Sequence, residues 1–195
     1  MQKLIITAIS VLLITAFAVN YKQLIPDSTT QATNKAEALD FNAYSIGINT
    51  VVYDVNGEIN YTLQADRQVQ YNDNSTELDN PFVRLFQNGE SRWNLLADTG
   101  VISPESMANS KEMRTIELSG NVEVYSLDDF GNRTVMTTQK LMLNPQLETL
   151  MTDQLVQVET SSIRQSAIGM DANLNSDEIV FHRDVRGIYE YPPPN

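Results

Sequence analysis

Apolar and polar residues alternate most regularly in residues 115–159. The apolar positions of one parity at the start of this segment are Ile116, Leu118, Val122 and Val124. A period of two is typical of a β-strand with one dry face and one solvated face. Gly120 stands at an apolar position of the pattern, and a missing side chain there indicates a bulge, a bend or a close approach to the backbone. The segment therefore predicts a hairpin followed by a further strand.

Short alternating runs of the same kind lie on both sides of this segment. Ile46, Ile48, Thr50 and Val52 alternate before a turn in which Gly57 takes a position that often needs positive φ. Turns recur about every ten residues along the chain, a spacing that favours an all-β sandwich, barrel or jelly roll. An α/β fold would instead place helices of about ten or more residues between the strands.

The ends of the chain differ from this β-rich region. Residues 4–19 are apolar and uncharged, slightly fewer than the ~17–25 residues that span a bilayer. Ala16 and Ala18 favour a cleaved signal peptide, whereas Tyr21 and Lys22 favour a retained anchor, and the residues alone leave both open. Either interpretation predicts an exported domain. The expected divisions are an apolar segment at 1–25, a polar linker at 26–40, a β domain at 41–190 and a proline-rich tail at 191–195.

The amino-acid composition restricts which partners the protein can bind and which kinds of site it can contain. The 195-residue chain has 25 acidic and 13 basic residues and a formal net charge of -12. Because this charge would repel a phosphate backbone, we expect no nucleic-acid partner. Cysteine is absent, which excludes a disulfide scaffold, a thiolate metal site and a cysteine nucleophile.

Residues that could support catalysis are few. His182 is the only histidine, and no serine-nucleophile motif accompanies it. Asp128 and Asp129 lack the spacing of a calcium loop, and no glycine-rich phosphate loop is present. We therefore expect no catalysis, no metal site and no cofactor. A secreted carbohydrate-active β-sandwich enzyme is a distant alternative, since it would need carboxylates clustered in a cleft.

Three segments resemble the LptC family, the inner-membrane component of the lipopolysaccharide export bridge. Residues 50–57 are similar to its Val-Tyr-x-x-x-Gly hairpin, and Asn80-Pro81 followed by an alternating run is similar to the next block. Residues 118–124 resemble the repeat shared by LptA, LptC and the periplasmic part of LptD, as do residues 137–141 and 155–156, which follow them in the sequence. The chain departs from some members by having no glycine around residues 159–160.

The resemblance implies a fold, a location and a function. The fold would be an open β-jelly roll of antiparallel strands, preceded by a single retained N-terminal transmembrane helix in the inner membrane, with the β domain in the periplasm. Lipopolysaccharide would pass from the LptB/LptF/LptG transporter along an apolar interior to LptA, and the chain itself would hydrolyse nothing. The alternative is a periplasmic scaffold that binds envelope proteins through its sheet edges and carries no lipid.

The resemblance also assigns candidate residues. Alternation cannot distinguish a filled core from a groove for acyl chains. The inward residues expected to contact lipid are Ile48, Tyr61, Leu63, Leu78, Ile116, Leu118, Val122, Val124, Leu141 and Val158. Because a sheet edge can pair with another chain, the N-terminal edge at 45–53 is expected to meet the transporter and the C-terminal edge at 179–186 to meet LptA. The partner-binding candidates are Val51, Tyr53 and Gly57 on the first side and Ile179, Phe181 and Arg183 on the second.

Overall fold

The computed structural model describes residues 40–104, 115–127 and 131–189, and these residues form one antiparallel sheet. Its strands are β1 (Phe41–Tyr53), β2 (Ile59–Tyr71), β3 (Thr76–Asp79), β4 (Phe82–Gln87), β5 (Glu90–Leu96), β6 (Thr99–Ile102), β7 (Ile116–Leu127), β8 (Arg133–Asn144), β9 (Thr149–Glu159), β10 (Ile163–Asn173) and β11 (Glu178–Tyr189). The all-β prediction is confirmed. Within the described ranges, the structure contains no helix with the length and apolar character needed to cross a membrane. The predicted anchor, the tail and almost all of the predicted linker lie outside the described residues.

The strands follow one another across the sheet as a meander. β3 and β4 are two pieces of one line, since both pair with β2, and β6 and β5 continue the sheet beside them. From β7 onward each strand pairs with the next one along the chain. Among the described strands, β1 pairs with β2 alone and β11 with β10 alone, so these two strands form the edges of the sheet.

A line of irregular backbone crosses the middle of the sheet. Positive φ angles occur there at Gly47, Asn80, Gly120, Gly169 and Asp184. The pairing registers shift beside three of these positions, in β7, β10 and β11. A strand bends where a bulge interrupts its pairing, and the sheet therefore folds back over itself along this line.

Polar contacts hold the bend together on its outer side. The Nδ2 atom of Asn80 donates to Asp66 Oδ2 at 2.9 Å, and the Nδ2 atom of Asn121 donates to Asp98 Oδ2 at 2.9 Å. The backbone nitrogen of Asp98 also donates to the Gly120 carbonyl at 2.9 Å. Asp98 lies so near Gly120 that a Cβ atom there would come within 2.6 Å of its Oδ2. The bulge and the close approach expected at Gly120 are both confirmed.

The folded sheet encloses one hydrophobic core. Its almost fully buried members include Leu, Val and Ile side chains from strands between β2 and β9 and Ala and Met side chains from β10. Two buried hydroxyls lie where the pairing of β8 with β9 is interrupted, and each has a backbone acceptor: Thr138 donates to the Leu155 carbonyl at 2.9 Å and Thr152 to the Lys140 carbonyl at 2.6 Å. Both hydroxyl groups therefore have hydrogen-bond partners although the pairing of β8 with β9 is interrupted, as expected for buried polar groups.

The first strand departs from its predicted alternation. Ile48 and Val52 pack against the core, but Ile46 is 75% exposed and lies opposite the exposed Arg67. Between Ile46 and Ile48, Gly47 has φ +66°, which a regular strand does not adopt. The alternation therefore does not continue through the bend.

Replacing Gly120 with alanine should lower the free energy of unfolding by about 2–3 kcal/mol, because the left-handed backbone disfavours a side chain and the new Cβ meets Asp98. Gly57 is the matched control. Its φ is +84° but nothing lies within 4 Å of its Cβ position, so Gly57→Ala should cost only about 1 kcal/mol. Chemical denaturation measures both losses, and equal losses would contradict a tight contact between Asp98 and residue 120.

Candidate functional site

The predicted inward residues all face the interior of the folded sheet. Nine of the ten are buried, with exposures of 0–8%, and Ile48 is partly buried against the same core. Most of these side chains contact other protein side chains. Val122 also borders a smaller groove on the sheet, and Val158 borders a larger one. Contact between these residues and lipid stays a prediction.

This groove lies at one end of the interior and has a volume of about 740 Å³. Ligand pockets typically measure ~300–1,000 Å³, so the groove is large enough for an organic ligand. The ends of several hairpins form its walls. The apolar side chains that line it are Trp93, Leu127, Met136, Val158, Ile163, Leu174 and Ile179. We call these seven side chains the floor, which can contact hydrocarbon chains, while the other lining residues are polar.

Polar side chains join two distant hairpins beside the groove. The Nε2 atom of Gln87 donates to Asn175 Oδ1 at 2.8 Å. Arg92 donates to Gln87 Oε1 and also forms an ion pair with Asp177. We call these four residues the latch. Because its ion pair is partly exposed, it contributes only about 0–1 kcal/mol.

A bulge explains why Arg92 reaches the latch. Leu85 pairs with Trp93 while Phe86 pairs with Ser91, which leaves Arg92 as the extra residue of β5. Bulges redirect side chains that would otherwise alternate, and Arg92 consequently lines the groove together with Trp93, its neighbour in the chain. On the other side, Asn173 Oδ1 accepts bonds from the backbone nitrogens of Asn175 and Ser176 at 3.0 and 3.1 Å and shapes the turn that carries the rest of the latch.

The mouth of the groove is negatively charged. Glu90, Asp177 and Glu178 line it, and Arg92 is the one cation among its described lining residues. Burial raises the pKa of nearby Glu148, and the positive charge of Arg92 opposes that rise. A mouth with more carboxylates than cations does not favour a phosphate group, so the groove suits the acyl part of an amphiphile better than its phosphorylated part.

Trp93 forms part of the floor and carries an unusual polar atom. The residue is only 7% exposed, and its indole Nε1 is buried without any hydrogen-bond partner among the described protein atoms. Leaving such a donor unpaired costs about 1–3 kcal/mol. The sequence carried no signal for the unpaired nitrogen of Trp93 or for the latch.

The partner-binding candidates lie on the two edge strands or beside them. Val51 and Tyr53 are 40% and 60% exposed on β1, and Gly57 has the predicted positive φ in the following turn. Ile179 and Phe181 pack partly against the core, which their predicted partner role did not anticipate. The remaining candidate on β11, Arg183, is exposed. Their roles in partner binding stay predictions.

His182 lies on the outer surface of the sheet, away from the groove. Its Nε2 atom is 3.0 Å from Asp171 Oδ2, and its ring covers Gly169, where an added Cβ would come within 2.4 Å of Nδ1. Across residues 40–104, 115–127 and 131–189, no three histidine, aspartate or glutamate side chains form a group that could hold a metal ion. The geometry around His182 is that of a packed surface pair.

Comparison with known proteins agrees with the expected family. No curated protein matches the chain. A family model described as "Lipopolysaccharide-assembly, LptC-related" matches residues 7–190, which is nearly the whole sequence. This match and the antiparallel β architecture confirm the resemblance, and family membership implies a part in lipopolysaccharide transport and outer-membrane biogenesis. The chain belongs to the LptC family.

Proposed function

We propose that the chain binds lipopolysaccharide in the groove beside Val158 and passes it along the export bridge. The groove of about 740 Å³, whose lining includes the apolar side chains of Trp93 and Val158, is the observation that supports this role. In the same proposal, the fold is an open β-jelly roll in the periplasm and residues 1–25 are a single inner-membrane anchor. The LptB/LptF/LptG transporter supplies the free energy by ATP hydrolysis, and this chain catalyses nothing.

The balance of energies favours lipid entering through the latch. Burying one methylene group of an acyl chain contributes about 0.8 kcal/mol. The exposed ion pair of the latch contributes about 0–1 kcal/mol, so burial of a few methylenes outweighs it. The rest of the interior is closed by fully buried side chains such as Leu118 and Leu141. The latch is therefore the weakest part of the boundary around the apolar interior.

We also propose that the two edge strands bind the neighbouring bridge proteins. β1 and β11 are 13 and 12 residues long and expose apolar side chains, among them Val51, Tyr53, Val180 and Ile188. An edge strand can extend its sheet into another chain through backbone hydrogen bonds. In this arrangement β1 meets the transporter and β11 meets LptA.

A scaffold that carries no lipid is the second candidate function. The observation that favours it is the close packing of the core, in which Leu78, Leu118 and Leu143 are at most 1% exposed. A filled interior stabilises a domain whose edges alone bind partners. The two functions differ in whether lipid reaches Val158.

A photoreactive amino acid at position 158 should form a lipopolysaccharide adduct in living cells, since this side chain faces the groove. Gln157 is the matched control, because it is the next residue of β9 and is exposed on the opposite face. The adduct should depend on cellular ATP and be absent at position 157. Gel mobility and an antibody against lipopolysaccharide detect it. A folded protein without an adduct at position 158 would favour the scaffold.

Closing the latch covalently should reduce that adduct at position 158. The chain has no cysteine, so Gln87→Cys with Asn175→Cys gives a unique pair. A disulfide needs Cα atoms within about 7 Å. Linking the two cysteines with a short bismaleimide instead removes that requirement. The control is Gln87→Cys with Glu90→Cys, a pair that lies within one hairpin. We expect the first linked pair to lower adduct yield with purified lipopolysaccharide at least several-fold, and equal yields in the two linked proteins would exclude the latch as the route.

Probes on the two edges should capture different proteins. A photoreactive residue at Val51 should cross-link to a transporter subunit, and one at Val180 should cross-link to LptA, because each lies on an unpaired edge. Leu155 is the control, since it is 57% exposed, close to the 51% of Val180, but lies on the central strand β9. Mass spectrometry identifies the captured chains. Capture of the same partner at Leu155 would contradict edge-specific docking.

A further inference from the structure

The indole of Trp93 offers a hydrogen bond that no described protein atom accepts. Its Nε1 is buried, and the residue is among those that line the groove. Across the sheet its pairing partners are Leu85 in β4 and Ser126 in β7. Almost all buried donors in folded proteins find an acceptor, and the exception here borders the cavity in which a ligand is proposed to bind.

The surroundings restrict the chemistry of the missing acceptor. Glu90, Asp177 and Glu178 line the same groove, and Arg92 is already paired within the latch. Their negative charge disfavours a phosphate or a free carboxylate. The acceptor must therefore be uncharged, and the rest of the ligand must suit the apolar side chains of the groove. A neutral oxygen attached to a hydrocarbon chain meets both requirements. Ester and amide carbonyls and the hydroxyl groups of acyl chains have this character.

We propose that Trp93 positions the bound lipid by donating its indole N–H to a carbonyl or hydroxyl oxygen of an acyl chain. This inference rests on the proposed lipid-binding function and assigns a role within it. Opening of the latch, which contains the adjacent Arg92, exposes the indole to the arriving chain. The hydrogen bond then fixes how far the chain enters the groove.

The chain contains a single tryptophan, which makes a direct test available. Resonance Raman spectra of the full chain in lipid nanodiscs report the hydrogen bonding of the indole N–H. Before lipopolysaccharide is added, the band should have the position of an unbonded N–H, and purified lipopolysaccharide should shift it to the bonded position. A bonded band from the start would mean that another group, such as a buried water, already serves as acceptor, and would overturn the proposal.

An isosteric replacement separates hydrogen bonding from packing. β-(3-Benzothienyl)alanine at position 93 keeps the shape of the indole but replaces N–H with sulfur. Affinity for lipopolysaccharide should fall about 3- to 10-fold, the effect of one neutral hydrogen bond. Thermal unfolding of the lipid-free protein should be unchanged or occur at higher temperature, because an unpaired buried donor has been removed. Unchanged affinity with intact folding would exclude Trp93 as a positioning residue.

The adduct at position 158 distinguishes failure of this inference from failure of the proposed function. If lipopolysaccharide binds and forms that adduct while the Raman band does not move, lipid transport stands and the role of Trp93 is wrong. If neither adduct nor band shift occurs in the folded protein, both the lipid-binding function and the role of Trp93 are overturned.

Discussion

A single antiparallel sheet of long strands can bury one of its faces only by folding over on itself, and the rest of this structure depends on that bend. Positive φ angles at Gly120 and Gly169 interrupt the strands where the sheet must turn. Neither position has room for a side chain, since Asp98 covers one and His182 the other. Hydrogen bonds from Asn80 and Asn121 to aspartates hold the outer side of the bend. The core is therefore a consequence of irregular backbone as much as of apolar side chains.

The bend also determines where the interior is accessible. Folding brings the β4–β5 hairpin opposite the β10–β11 turn, and four polar side chains join them. Elsewhere fully buried aliphatic side chains fill the space between the two halves of the sheet. Polar contacts exposed to water are weaker than a packed core. Under the proposed function, the same fold combines a stable body with one boundary that opens at low cost.

Sequence reasoning succeeded where structure depends on near neighbours. Alternation identified the β architecture and the inward positions, and glycine chemistry identified the turn at Gly57 and the bulge at Gly120. It failed where the backbone reverses the alternation, as at Gly47, which leaves Ile46 exposed. It also could not find the pairing of Arg92 with Asp177, which are 85 residues apart. The alternation of apolar and polar residues indicates which face of the sheet a side chain occupies. It carries no information about the distance between the two facing halves of the folded sheet.

Under the proposed function, that distance decides whether the filled core can also admit lipid. Separating the two layers without a ligand would expose side chains such as Leu118 and Leu141 to water, at roughly 25 cal/mol for each Å² of apolar surface. If an acyl chain takes the place of the facing side chains, the apolar area stays buried and only the fit between layers is lost. Under the proposed function, separation is therefore favourable only when lipid already occupies the groove beside Val158. Binding at the groove and opening of the interior would then be one coupled equilibrium, in which the lipid stabilises the open state that it requires.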